Sequence, residues 1–442
     1  MKRLATVVAV LGGLAWGQEA PVKAVLFQNV RIFDGKSGAL SGASNVLVRG
    51  NVIEKISTVP IAVDRSGTTQ VIEGGGRTLM PGLIDAHAHI MITTIPMALA
   101  MTTDLGYVEL RAGRDATEML LRGFTTIRDM GGPSFGLKRA IDEGIVAGPR
   151  IYPSGAMISQ TSGHGDFRLL SELPREPNSQ LSYTERIGLA AIADGVDLVL
   201  VRTREQLMRG ASQIKVMAGG GVSSAYDPLD STQYSEAEMR AAVGAAEDWG
   251  TYVAVHAYTP RAIQRALTAG VKCIEHGQLA DEATAKQMAE KGVWWSLQPF
   301  LSDEDANPKS DPVGKAKQEE VSRGTEQAYG LAKKYHIKTA FGTDTLFSAK
   351  AAARQGAQLA KLTRWYTPAQ VLRMATSENA ELLAMAGPRN PYPGKLGVVE
   401  EGALADLLLV DGDPLTNIQL IEDPVKNFVM VMKDGKVYKN TL

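Results

Sequence analysis

The sequence predicts an α/β protein, a (β/α)8 TIM barrel inserted into a small β-sandwich that both ends of the mature chain build together. Three observations carry this expectation. Between residues 81 and 387, eight short apolar runs alternate with amphipathic helical stretches, the pattern of βα units on a parallel sheet. The flanking segments, 18–80 and 388–442, consist instead of short strands punctuated by glycine. No Gly-rich dinucleotide fingerprint follows an early strand, which disfavours a doubly wound open sheet as the alternative.

In chain order, residues 1–17 come first. A basic start (Lys2, Arg3), an apolar stretch and small residues at Ala15 and Gly17 have the layout of a secretory signal peptide. The expectation is an exported protein, periplasmic or secreted. Its apolar run is shorter than the ~20 residues that span a bilayer, so no membrane anchoring is expected. "AVLFQNVRIFDG", "NVLVRGNVIEKIS" and "TQVIEGGGRTLMPG" then read as strands. At the other end, "KLGVVEEGALADLLLVDGDPL" and "VKNFVMVMKDGKVYK" repeat that style with Asp-Gly turns.

The eight expected barrel strands are 83–89, 125–130, 150–156, 213–218, 252–258, 273–277, 294–299 and 338–344. Helices lie between most of them. "SEAEMRAAVGAAEDWG" and "TPRAIQRALTAG" each begin near Ser or Thr and close on Gly, as capped helices do.

Composition narrows the function. The 442 residues suit one large barrel with a smaller module, and 44% hydrophobic with 21% charged residues describes a globular protein. A net charge of −1 gives no reason to expect nucleic acid or an anionic membrane as a partner. The single cysteine, Cys273, excludes an intrachain disulfide and a cysteine-rich metal site. Within the apolar "VKCIEH" it reads as a buried, inert thiol.

The chain has only six histidines, and two stand in "PGLIDAHAHI". Strand residues i and i+2 share a face, so His87 and His89 project together as a pair of candidate metal ligands. Taken alone, that pair is equally an accident of a half-buried strand. The other strand ends decide. In a barrel, C-terminal strand ends line the active site. They carry Lys215 on the fourth strand, His256 on the fifth, His276 on the sixth and Asp344 on the eighth. Each has a plainer reading by itself: a hydrogen-bonded core histidine, a lysine with its head in solvent, an aspartate capping a helix. All of those readings would have to hold at once to remove the site.

"DAHAH", "IKVMAGGG", "VAVHAY", "IEHG" and "GTD", in this order, resemble the amidohydrolase superfamily of metal-dependent hydrolases. "GFTTIRDMGG", "SGHGD" and "DPLDSTQYS" make the chain most similar to the imidazolonepropionase-related prolidase and carboxypeptidase group. Some members of that group hydrolyse ochratoxin A, an amide of phenylalanine, to ochratoxin alpha and the free amino acid. The resemblance implies two Zn2+ ions, or another divalent metal, in each subunit. His87, His89 and Asp344 would hold one, His256 and His276 the other, and Lys215, converted by carbon dioxide to a carbamate, would bridge them. It also implies a metal-bridging hydroxide attacking an amide, Asp344 as proton carrier, and a homo-oligomer, an octamer being one expected size.

His164 in "TSGHGDFR" follows the third strand with no evident packing need, and is assigned to substrate or developing oxyanion. Tyr226 and Tyr234, in the loop after Lys215, can reach a substrate carboxylate or simply cover the barrel rim. Arg128 and Asp129 are expected to pair and brace the barrel. The leading expectation is a hydrolase that removes a C-terminal amino acid from a dipeptide or N-acyl amino acid. The alternatives are a single-metal cyclic amide hydrolase or deaminase acting on a heterocycle, and an inactive barrel serving as a binding protein.

Overall fold

The computed structural model describes residues 24–64, 69–176 and 179–442. The expected signal peptide lies outside them. No helix among the described residues is long and apolar enough to cross a membrane.

Five strands open the chain: Ala24–Ile32 (β1), Ser44–Arg49 (β2), Val52–Ser57 (β3), Thr69–Glu73 (β4) and Thr78–Pro81 (β5). The α/β region follows with Leu83–Ala88 (β6), Phe124–Asp129 (β7), Arg150–Pro153 (β8), Met157–Ser159 (β9), Ala190–Ile192 (β10), Ile214–Met217 (β11), Val253–Ala257 (β12), Cys273–His276 (β13), Trp294–Leu297 (β14) and Thr339–Phe341 (β15). Leu407–Val410 (β16), Phe428–Lys433 (β17) and Lys436–Asn440 (β18) end it.

The strands of the two ends join one mixed sheet in the order β18-β17-β16-β5-β1-β2-β3, with β4 also on β1. β5 and β16 form the seam, antiparallel, with Leu79 opposite Leu409. Alternating residues such as Val25, Phe27, Leu407 and Leu409 bury their side chains in one cluster.

The middle strands are parallel and fall into two sheets, β6-β7-β8 and β10-β9-β11-β12-β13-β14-β15. Backbone bonds link the two, from the turn after edge strand β15 to β6 and from the residue before β11 to β8. The amide of Asp344 donates to His87 O at 2.8 Å, and that of Ser212 donates to Pro153 O at 2.8 Å. Gly342 permits the first: a Cβ there would lie 2.4 Å from His87 Cβ. Asn379 pins the same edge, its Nδ2 donating to the carbonyls of Ile84 and Phe341, 2.8 Å each. A π-helical turn at Met374–Glu378 immediately precedes it.

The eight expected strands are all present, most within a residue or two. The third breaks into β8 and β9 where Gly155 takes φ +74°. β10 was not expected, because three apolar residues carry no periodicity. The two expected capped helices form at Glu236–Asp248, with a Ser235/Glu238 capping box, and at Pro260–Ala269, with Gly270 left-handed at φ +101°.

The expected Arg128–Asp129 pair does not form. Neighbouring strand residues face opposite sides. Arg128 turns inward to Glu275, 2.6 Å between Nη2 and Oε1, while Asp129 accepts from the Ile90 amide at 2.9 Å and from Ser134 Oγ at 2.7 Å. Arg150 ties the α/β region to the end sheet through Asp406, at 2.7 and 3.1 Å.

Candidate metal centre

The C-terminal ends of β6, β11, β12 and β13, with the turn after β15, converge on one buried pocket. His87, His89, His164, Lys215, His256, His276 and Asp344 all line it, with Met217, Tyr258 and Phe347 among its apolar and aromatic walls. His87 Nε2 lies 3.3 Å from Asp344 Oδ1 and 3.3 Å from Lys215 Nζ; His89 Nε2 lies 3.1 Å from the same Asp344 oxygen. The His256 and His276 rings are 4.6 Å apart between centroids. His87, His276 and Asp344 offer ligand atoms within 4.8 Å of one another, close enough to hold one metal ion.

The chemistry of the donors fits a cation. Each of the four histidines has one ring nitrogen engaged by an oxygen: His87 Nδ1 by Glu275 Oε2 at 2.7 Å, His89 Nδ1 by Gly131 O at 3.2 Å, His256 Nε2 by Gly220 O at 3.0 Å and His276 Nδ1 by Gln298 Oε1 at 2.7 Å. With the proton assigned to that nitrogen, the other presents a lone pair. Burial, reinforced by neighbouring positive or imidazole groups, holds His87, His256 and His276 well below the usual histidine range, so these rings are neutral. Burial also pushes the Lys215 amine down to about 8, although Glu275 and Asp344 pull the other way. His276 and Asp344 sit at φ +71° and +49°, left-handed conformations in which residues with side chains are strained and which cluster at functional sites.

His164 joins this group. Its ring stacks on His256 with centroids 4.0 Å apart, and its Nδ1 is 2.6 Å from Ser224 Oγ. Burial, with His256 and Lys215 nearby, keeps it neutral. Gly221 makes the room, since a Cβ there would lie 2.0 Å from the imidazole.

The two tyrosines lie elsewhere. The Tyr234 hydroxyl donates to Ala193 O at 2.9 Å and is buried. Tyr226 is exposed, and neither residue lines the pocket. Cys273 is buried against Arg128 and Glu275, and burial pushes its thiol up, away from a nucleophile's range.

Sequence reasoning missed the residues behind the candidate ligands. Glu275 is the main one: burial would raise its carboxyl, but Arg128, Lys215 and hydrogen bonds from Ser296 and Cys273 together hold it below the usual range. The signal was available, since a glutamate in the apolar run "CIEH" alternates with His276 and needs an internal partner. Gln298 and Tyr258 gave no such signal.

Nitrogen donors gathered near an aspartate at the ends of parallel strands suit a divalent cation of the kind that metal-assisted hydrolases use. The chain belongs to the amidohydrolase family, whose model matches residues 78–438. It is 33% identical over 379 residues to the ochratoxinase of Aspergillus niger, covering 82% of this chain and 75% of that one. A crystal structure of an amidohydrolase superposes with a TM-score of 0.87 at 38% identity, covering 95% of this chain and all of the other. A prolidase crystallised with N-methylphosphonate-L-proline follows at 0.86 and 36%, with the same coverage. The protein is therefore a hydrolytic enzyme acting on amide bonds.

Proposed function

We propose that the protein is an exported, homo-oligomeric hydrolase with two zinc or other divalent ions per chain. Its reaction is cleavage of the amide that joins a C-terminal amino acid to an acyl group, in a dipeptide or an N-acyl amino acid. The convergence of His87, His89, Lys215, His256, His276 and Asp344 on one pocket carries this reading. The two parallel sheets are read as one (β/α)8 barrel over residues 81–387, set in a sandwich-like domain from the strands of the two ends; the backbone bonds of Asp344 to His87 and of Ser212 to Pro153 between the sheets support that closure.

His87, His89 and Asp344 would hold one cation and His256 and His276 the other. Lys215 would bridge them. At neutral pH an amine pushed down to about 8 keeps a neutral fraction. That nitrogen can add to carbon dioxide, forming a C–N bond, losing a proton and becoming a carbamate whose oxygens are ligands. Bound cations supply Lewis acidity toward the amide carbonyl and an activated water. Asp344 takes the proton at a carboxylate oxygen and hands it to the leaving nitrogen as the C–N bond breaks. His164, neutral beside His256, donates a hydrogen bond to the oxygen that gains charge.

A single-metal reading draws on the tight His87, His276 and Asp344 grouping. It leaves Lys215, neutral-prone and 3.3 Å from His87, without a role. The relatives support an acyl-amino acid substrate. One is named an ochratoxinase, and a prolidase holds a proline phosphonate. Ochratoxin A, an amide of phenylalanine, is accordingly one candidate.

Chromatography of products from a mixed library of dipeptides and N-acyl amino acids tests the proposal. Free amino acids should be released, the release should stop with a chelator, and zinc should restore it. A zinc-loaded protein that releases none, or hydrolysis indifferent to chelation, contradicts it.

A further inference from the structure

The run that carries His87 and His89 opens on an acid, Asp85, to which the proposed reaction gives no part. By strand alternation Asp85 shares a face with both histidines. It is fully buried, yet it does not line the metal pocket. Its lone pairs are spent elsewhere. Oδ1 accepts the amides of His87 and Thr343, 3.0 Å each, while Oδ2 accepts Thr343 Oγ1 at 2.7 Å and Gln355 Nε2 at 2.8 Å. A carboxylate has about four acceptor positions, so these donors saturate it. Nothing is left for a cation, and Asp85 is not itself a ligand.

The donors come from segments distant in sequence: β6, the turn after β15 and the helix at Gln355–Ala360. The first two carry His87 and Asp344. Thr343 is the central contact because it immediately precedes Asp344. Its amide and its hydroxyl both donate to Asp85, and its hydroxyl oxygen accepts the Thr345 amide at 3.4 Å, from the far side of Asp344. The Asp344 amide itself donates to His87 O at 2.8 Å. The amides before, at and after the candidate ligand are thus all engaged. A left-handed residue with a side chain persists only where its surroundings hold it, and this clasp holds Asp344 at φ +49° with Oδ1 3.3 Å from His87 Nε2.

We propose that Asp85 is a positioning residue, which fixes Asp344 against His87 and so shapes one cation site before any metal arrives. The inference rests on the two-cation reading above, in which His87, His89 and Asp344 hold one ion. His256 and His276, which would hold the other, are oriented instead by Gly220 O and Gln298 Oε1. Removing the clasp therefore weakens one ion and spares its neighbour.

Zinc titrated against a competing chelator, on the metal-free full chain, reads the two ions. Wild type, Asp85→Ala, Asp85→Asn and Thr343→Val are compared, with thermal unfolding as the check that each is folded. In Asp85→Ala one ion should bind on the order of 10- to 100-fold more weakly, the range for losing an outer partner of a metal ligand, and the other as in wild type. With zinc saturating, kcat should fall and KM should not change. Asp85→Asn, whose side-chain oxygen can still accept both amides, should keep more of the affinity. Thr343→Val keeps the backbone bonds and loses one donor; it should weaken the same ion by less, and decides the matter if Asp85→Ala does not fold. Equal weakening of both ions, unchanged binding in Thr343→Val or in folded Asp85→Ala, or asparagine as poor as alanine overturns the assignment and leaves the hydrolase reading standing. A wild type that binds fewer than two ions defeats the two-cation reading itself, and the inference with it.

Discussion

Asp344→Asn should lower kcat by about 10²- to 10⁴-fold, the contribution typical of a positioned general acid–base group, with bound metal retained. The amide oxygen of asparagine can still face the Nε2 atoms of His87 and His89, which Asp344 Oδ1 meets at 3.3 and 3.1 Å. What it loses is the ability to accept a proton. Asp344 is also placed to move one. Its side chain keeps 16% exposure toward the cavity, whereas that of His87 has none. Because the turn holds Asp344 at φ +49°, asparagine, which tolerates that region, keeps the backbone. Steady-state kinetics with metal analysis on one preparation decides the matter. A variant that keeps more than about a tenth of wild-type kcat denies Asp344 this role.

Arg128→Met should destabilise the fold by about 3–5 kcal/mol, the cost of breaking a buried ion pair from one side. The guanidinium and Glu275 are both fully buried. Arg128 donates to Ala86 O at 2.6 Å, to the Tyr252 hydroxyl at 3.1 Å and to Glu275 at 2.6 Å. Without it, the Glu275 carboxylate is stranded beside His87 and loses the charge that offsets its burial. Glu275 then takes up a proton more easily and accepts more weakly from His87, so metal affinity should fall too. Urea unfolding of the metal-free protein measures the effect. Arg128→Met/Glu275→Gln, which removes both charges, should recover part of the loss. A single variant as stable as wild type means the pair does not support the site.

The candidate ligands were legible because metal chemistry uses few residue types and parallel strands deliver them at their C-terminal ends. His87 and His89 announce themselves by spacing, and His256, His276 and Asp344 by position after apolar runs. Most strand positions were legible too, because short apolar runs alternated with amphipathic helical stretches. Contacts between elements distant in sequence were not. Arg128 finds Glu275 across 147 positions, and no local pattern announces that partner. Tyr234 misled because its left-handed backbone, φ +59°, turns the ring away from the pocket to bond Ala193.

The account turns on Lys215 joining two cations that six side chains hold. Elemental analysis of wild type and Lys215→Met, purified side by side with zinc and bicarbonate, addresses it directly. Two zinc ions per wild-type chain and no more than one in the variant are expected. One ion or none in wild type, or two in both proteins, contradicts it.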